Sequence, residues 1–143
     1  MNAKTPVESF ATAFLGIYSV ETGDLRFASA GHDPTILARA DGEIELLMPT
    51  GMPLGLMPEA TYTSGTAKLE PGDTLVLYTD GITEAAKADD SMFERERLMD
   101  VCRDHRHQSP AELATSIHAA VADFVEGEPY ADDQTLLILR RVI

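Results

Sequence analysis

The 143-residue chain has one cysteine, Cys102, and no tryptophan. A single thiol closes no intrachain disulfide, and a Cys-based zinc centre needs more of them. A lone free Cys reads first as a small buried hydrophobe. Basic residues are scarce too: 11 Lys plus Arg stand against 24 Asp plus Glu, for a formal charge of -13. No large basic patch can exist on such a chain, which argues against nucleic acid and anionic membrane surfaces as partners. The acidic excess suits a self-repelling protein or one that meets metal cations. Long hydrophobic runs are also missing. Stretches such as Leu75-Val76-Leu77-Tyr78 are strand-length, far short of the ~20 residues of a membrane helix. Residues 1–6 hold no apolar core of a secretory signal, so the cytoplasm is the expected compartment.

What is present is ordinary globular composition, 44% hydrophobic and 24% charged, enough for one domain. The first half reads as strands and turns. Residues 10–20 are apolar on both alternating faces, which predicts a strand covered on both faces. Glu21-Thr22-Gly23-Asp24 supplies a turn, and residues 25–28 return as a hairpin partner. Asp41-Gly42, between strands at 35–40 and 43–47, is the preferred pair of a two-residue hairpin. Residues 49–58 are a Pro- and Gly-rich loop, 61–69 an edge strand, Glu70-Pro71-Gly72-Asp73 a turn, and 74–79 a central strand.

The second half turns helical. Ser91 and Glu94 have capping-box spacing ahead of Leu98, Val101, Cys102 and His105. Ser109-Pro110-Ala111-Glu112 is a stronger start, followed by the stripe Leu113, Ile117, Val121, Phe124 and Val125, with Gly127 placed to end the helix. Residues 134–143 form a last apolar strand. Strands, then helices, then a closing strand argue α+β. The strands are too many for one half-exposed sheet, so two packed antiparallel sheets with helices outside are expected.

Two acidic spots lie where chemistry is practical. Asp80 follows the apolar strand and precedes Gly81, while Asp132 and Asp133 precede the last strand. Carboxylates at strand ends sit at the rim of a core, and hard divalent cations take such oxygen ligands. On spacing alone the plainer reading is the better supported: Asp80-Gly81 a turn, Asp132-Asp133 a solvated loop. His32-Asp33-Pro34 reads as a turn with a structural His, since adjacent side chains rarely face one another. His105 and His107, two apart, would lie on different sides of a helix. No HExxH, phosphate-binding GxxxxGK[ST], GxSxG or EF-hand pattern occurs.

Five short motifs follow in order: Ala30-Gly31-His32-Asp33-Pro34, Pro53-Leu54-Gly55-Leu56, Pro71-Gly72-Asp73, Leu77-Tyr78-Thr79-Asp80-Gly81-Ile82-Thr83-Glu84-Ala85, and Asp132-Asp133-Gln134-Thr135-Leu136. Together, over about residues 10–142, they resemble the bacterial branch of the protein phosphatase 2C (PPM-type) family typified by stage II sporulation protein E. The resemblance implies an α-β-β-α sandwich and hydrolysis of phosphoserine or phosphothreonine on proteins with two Mn²⁺ or Mg²⁺ ions, without a phosphoenzyme. It implies, as substrates, phosphorylated anti-sigma-factor antagonists, which are small STAS-domain proteins. By motif position Asp80 and Asp132 match ligands of the same ion. Asp133 fills a neighbouring slot that varies between Asp and Asn in relatives. Gly81 would let the backbone pass close to the metal.

The chain also departs from the family pattern. The upstream Asp-containing strand, and the aspartate-glycine loop that supplies an aspartate bridging both ions, are not found. Residues 1–143 therefore read as the back portion of the domain, with at most one partial metal site. The expected consequences are weak or absent activity and open strand edges that could pair two copies into a homodimer. Relatives usually have Gly after the Phe of Phe93-Glu94, and Glu94 should alter only the helix entry. The alternative function is a non-catalytic, partner-binding module that keeps the fold.

Overall fold

Turn chemistry sets the strand pairing. The computed structural model of the protein describes residues 11–55, 59 and 61–143. These form two units: the described residues up to Pro34 with Leu47–Leu69, and Thr35–Leu46 with Glu70–Ile143.

In the first unit, β1 (Ala13–Tyr18) and β2 (Asp24–Ala30) are the expected hairpin, antiparallel from Tyr18 opposite Leu25 to Ala13 opposite Ala30. β5 (Gly65–Lys68) pairs on the far side of β2, giving the order β1-β2-β5. The edge position expected for β5 is therefore what the structure has. Period-two alternation sends Leu25, Phe27 and Ser29 to a buried face, where Phe14 stacks on Phe27 at 5.6 Å. The expectation for β1 fails on the opposite face. Leu15 is 70% exposed and Ile17 69%, so this strand is covered on one face only. It is an edge strand of the three-stranded sheet.

In the second unit, β3 (Thr35–Ala38) and β4 (Ile44–Leu47) flank Asp41-Gly42. The connection is longer than the two residues expected. The Arg39 N–H donates to Glu43 O and the Gly42 N–H to Arg39 O, so Ala40, Asp41 and Gly42 all lie in the loop. This is the three-residue hairpin with its left-handed position at Gly42, φ 100°. β6 (Thr74–Tyr78) is central as expected, between β3 and β7 (Leu136–Arg140), in the order β4-β3-β6-β7. β6 pairs antiparallel with both neighbours, with Tyr78 opposite Leu136.

Three helices complete this unit: α1 (Asp80–Thr83), α2 (Glu94–Asp104) and α3 (Pro110–Val125). Leu98 and Cys102 of α2 and Leu113, Ile117 and Val121 of α3 are fully buried against Ile36, Val76 and Ile82. Each large aliphatic among them contributes roughly 1.5–3 kcal/mol. Cys102 is the inert packing residue expected, its thiol pushed up to about 12 by burial. α3 begins on a complete capping box between Ser109 and Glu112, with Pro110 in the first turn. It ends at Val125, as read, with Glu126 left-handed at φ 55° and Gly127 following at φ 89°.

The other capping box does not form. Phe93 is the cap residue of α2 without a side-chain bond, and Ser91 Oγ donates to Asp89 instead. Glu94 itself sits at φ 69°, a left-handed conformation that Gly adopts without cost. That explains why Gly suits the position after Phe93. His105 and His107 lie beyond the last turn of α2 rather than on its sides.

A carboxylate edge held between the ends of β6 and β7

The carboxylates of interest are placed by β6 and β7. The ladder between these strands continues one step past Tyr78, where the Thr79 N–H donates to Thr135 O at 3.2 Å. β6 then runs straight into α1, so Asp80 is the first helical residue rather than part of a plain turn. On the facing strand, Asp132 and Asp133 come just before Gln134 and β7. The Asp133 N–H donates to Asp132 Oδ1 at 2.8 Å, which fixes the turn of that loop.

The two acidic segments touch through Gly81. A Cβ on this residue would lie 1.9 Å from the Asp133 carbonyl oxygen and 3.2 Å from that of Asp132. Only glycine permits so close an approach. The sequence reading gave Gly81 a backbone passing close to a metal; the close neighbour the structure records is the Asp133 carbonyl. Gln134 Nε2 donates to Gly81 O at 3.2 Å, and the Thr135 N–H donates to Thr79 Oγ1 at 3.1 Å. Asp80, Asp132 and Asp133 are thereby brought to one edge of the four-stranded sheet. All three are exposed, and among the described residues no Lys or Arg pairs with them. A shallow polar depression of about 410 Å³ lined by Tyr130, Ala131, Asp132, Asp133 and Gln134 opens beside them.

Exposed hard oxygen donors without a cationic partner are the chemistry a divalent ion takes. The donor set is small, however. Among the described residues no three His, Cys, Asp or Glu side chains converge on one point. Asp80 and Asp132 lie on neighbouring segments and both are exposed.

The other motifs have structural work. In the first unit, the Gly31 N–H donates to Gly51 O at 2.9 Å and Gly31 lies against Pro53, so the Ala30–Pro34 and Pro53–Gly55 stretches pack together. His32 is held near Thr12 Oγ1, at 3.4 Å from Nδ1. Asp73 is the residue whose importance the sequence reading missed. It is 2% exposed. Its Oδ1 accepts the Ala40 N–H at 2.9 Å, and its Oδ2 accepts from Arg39 at 2.7 Å and from the Glu70 N–H at 2.8 Å. Glu45 and then Asp73 hold the Arg39 guanidinium even more firmly protonated than usual. The available signal was an Asp at the end of a Pro-Gly turn, directly before a buried strand.

The stage II sporulation protein E (SpoIIE) family model matches residues 1–142. The chain belongs to this family. It is 30% identical to the phosphoserine phosphatase RsbU of Bacillus subtilis (strain 168) over 94% of its length, covering 40% of that protein. Among solved structures, the SiaA-PP2C domain of Pseudomonas aeruginosa superposes with a TM-score of 0.79 at 29% identity, over 90% of this chain and 51% of that one. The manganese-presoaked SpoIIE phosphatase domain of B. subtilis gives 0.73 at 20% identity, over 93% and 57%. The chain spans between 16% and 40% of the length of three curated relatives it matches. The fold expected from the resemblance, two antiparallel sheets with helices, is the one observed, and the SpoIIE relatives are PP2C-type phosphatases. Among the described residues no helix is long and apolar enough to cross a membrane.

Proposed function

We propose that residues 1–143 are part of a cytoplasmic, metal-dependent protein serine/threonine phosphatase domain of the SpoIIE type. Its substrate would be phosphoserine or phosphothreonine on a regulatory protein, such as a STAS-domain anti-sigma-factor antagonist. The observation that carries the reading is the contact of Gly81 with the Asp133 carbonyl, which brings Asp80 and Asp132 to one sheet edge. Family membership and the phosphoserine phosphatase name of RsbU support the reaction class. The manganese-soaked SpoIIE domain supports the choice of ion.

Asp80 and Asp132 are the residues that would hold Mn²⁺ or Mg²⁺. Gly81 keeps the two segments in contact, and Asp133 lies beside them with its carbonyl turned to Gly81. Bound there, the ion supplies positive charge to phosphoryl oxygens and makes an attacking water more acidic. The chain's own part is to fix two carboxylates at a wet, open edge that a phosphorylated segment of another protein can reach. With two carboxylates, this chain by itself should bind divalent ions weakly and release little phosphate, because Mg²⁺ demands a near-octahedral set.

The test uses the full-length gene product and a phosphoserine peptide. Asp80→Asn should abolish Mn²⁺-dependent phosphate release while the thermal unfolding profile stays intact. Wild-type turnover by that variant at saturating Mn²⁺ would overturn the ligand assignment. Unchanged partner binding with no phosphate release from the wild type would favour a non-catalytic module instead.

A further inference from the structure

Two side chains with no assigned role join the Asp80 segment to the Asp132 segment, and the reason each is needed lies in the backbone. A strand that turns directly into a helix has a conflict at the junction. Thr79 is the cap residue of α1, and its carbonyl accepts the Ile82 N–H at 3.0 Å. That carbonyl would otherwise receive the next ladder bond from β7. The Thr79 hydroxyl takes its place and accepts the Thr135 N–H at 3.1 Å. Gly81 has the complementary problem. α1 is only four residues long, and the Ala85 N–H goes to Ile82 O, so the Gly81 carbonyl receives no intrahelical bond from Ala85. The Gln134 amide donates to it at 3.2 Å. One bond lies on each side of Asp80, and both end on residues immediately after Asp132 and Asp133.

We infer that Thr79 and Gln134 are positioning residues that set the separation of Asp80 and Asp132 for a divalent cation. The inference rests on the reading of those two carboxylates as ligands. Groups that orient a ligand without touching the ion commonly change metal affinity by about 10–100-fold when lost. Thr79→Val keeps the side-chain shape and removes the acceptor. Thr79→Ser keeps the acceptor. Gln134→Leu removes the donor at similar volume.

The experiment is titration of the ¹⁵N-labelled 143-residue chain with Mn²⁺ alone, reading paramagnetic broadening of the Gly81, Asp133 and Thr135 amide signals. A melting curve for each variant accompanies it. Thr79→Val and Gln134→Leu should each need about tenfold more Mn²⁺ for the same broadening, and Thr79→Ser should titrate like the wild type. If Asp80→Asn loses the broadening while Thr79→Val and Gln134→Leu keep wild-type affinity, the positioning role is overturned and the two bonds serve stability only. If Asp80→Asn broadens like the wild type, the ligand reading itself fails and takes the inference with it. Should Thr79→Val not fold, the Gln134→Leu titration decides on its own.

Discussion

Glu94 holds a left-handed backbone conformation at the entry to α2, with φ 69°. For a residue with a Cβ that conformation costs about 1–2 kcal/mol. Its side chain makes no cap bond in return. Glu94→Gly should therefore stabilise the protein by about 1 kcal/mol, read as a higher urea midpoint at unchanged slope. A midpoint that stays or falls would mean that the carboxylate earns its place in some other way. The residue scale is also where a sequence reading is weakest. Ser91 and Glu94 have the spacing of a capping box, but that spacing says nothing of backbone angles, and here the angles rule the box out. Asp73 was legible only as a turn residue. Its three partners come from Arg39, Ala40 and Glu70, and two of these lie on a hairpin more than thirty positions away.

At the scale of elements, α3 shows what the same spacing does when the backbone agrees. The Glu112 carboxylate accepts the Ser109 N–H while Ser109 Oγ accepts the Glu112 N–H. That backbone bond first, and the Ser109 hydroxyl second, hold the Glu112 carboxyl below its usual range. A carboxylate with a lowered folded value contributes stability at neutral pH, and the contribution is lost as pH falls through that value. Melting temperatures followed from neutral pH down through the carboxylate range should thus fall less steeply for Glu112→Gln than for the wild type. Identical acid limbs would show that the box adds nothing. The long helices and the central strand were legible because ten or more residues repeat a period, or four apolar ones stand in a row between turns. α1 was not, since four residues display no period. The candidate site was legible in part. The motif order pointed to Asp80 and Asp132, but the register that sets Tyr78 opposite Leu136 is written in no local pattern.

For the whole molecule, the feature with most bearing on behaviour in solution is the bare side of β1. Leu15 and Ile17 are exposed on an edge strand, and residues 11–19 carry no charged side chain. Unpaired edges of this kind are templates for a second copy. The chain's formal charge of -13 opposes such pairing, and salt screens that repulsion within about 8–10 Å at physiological strength. Sedimentation velocity should accordingly show self-association that grows with protein and salt concentration. Ile17→Lys should suppress it without lowering the melting temperature. A strictly monomeric wild type at high salt would remove this strand from consideration as an interface.

The contact between Gly81 and Asp133 also has a consequence in time. The bond from Gln134 to Gly81 spans 53 positions of the chain. A ribosome adds about 5–20 residues per second, so the two halves of the carboxylate edge leave it several seconds apart. During that interval β6 has β3 beside it but not β7, and Asp80 stands at the end of a strand with one flank open. Contacts of such long range also close slowly once the chain is free. The nascent protein therefore passes through a state in which α1, α2 and α3 have been made and the contact of Gly81 with Asp133 is still unformed.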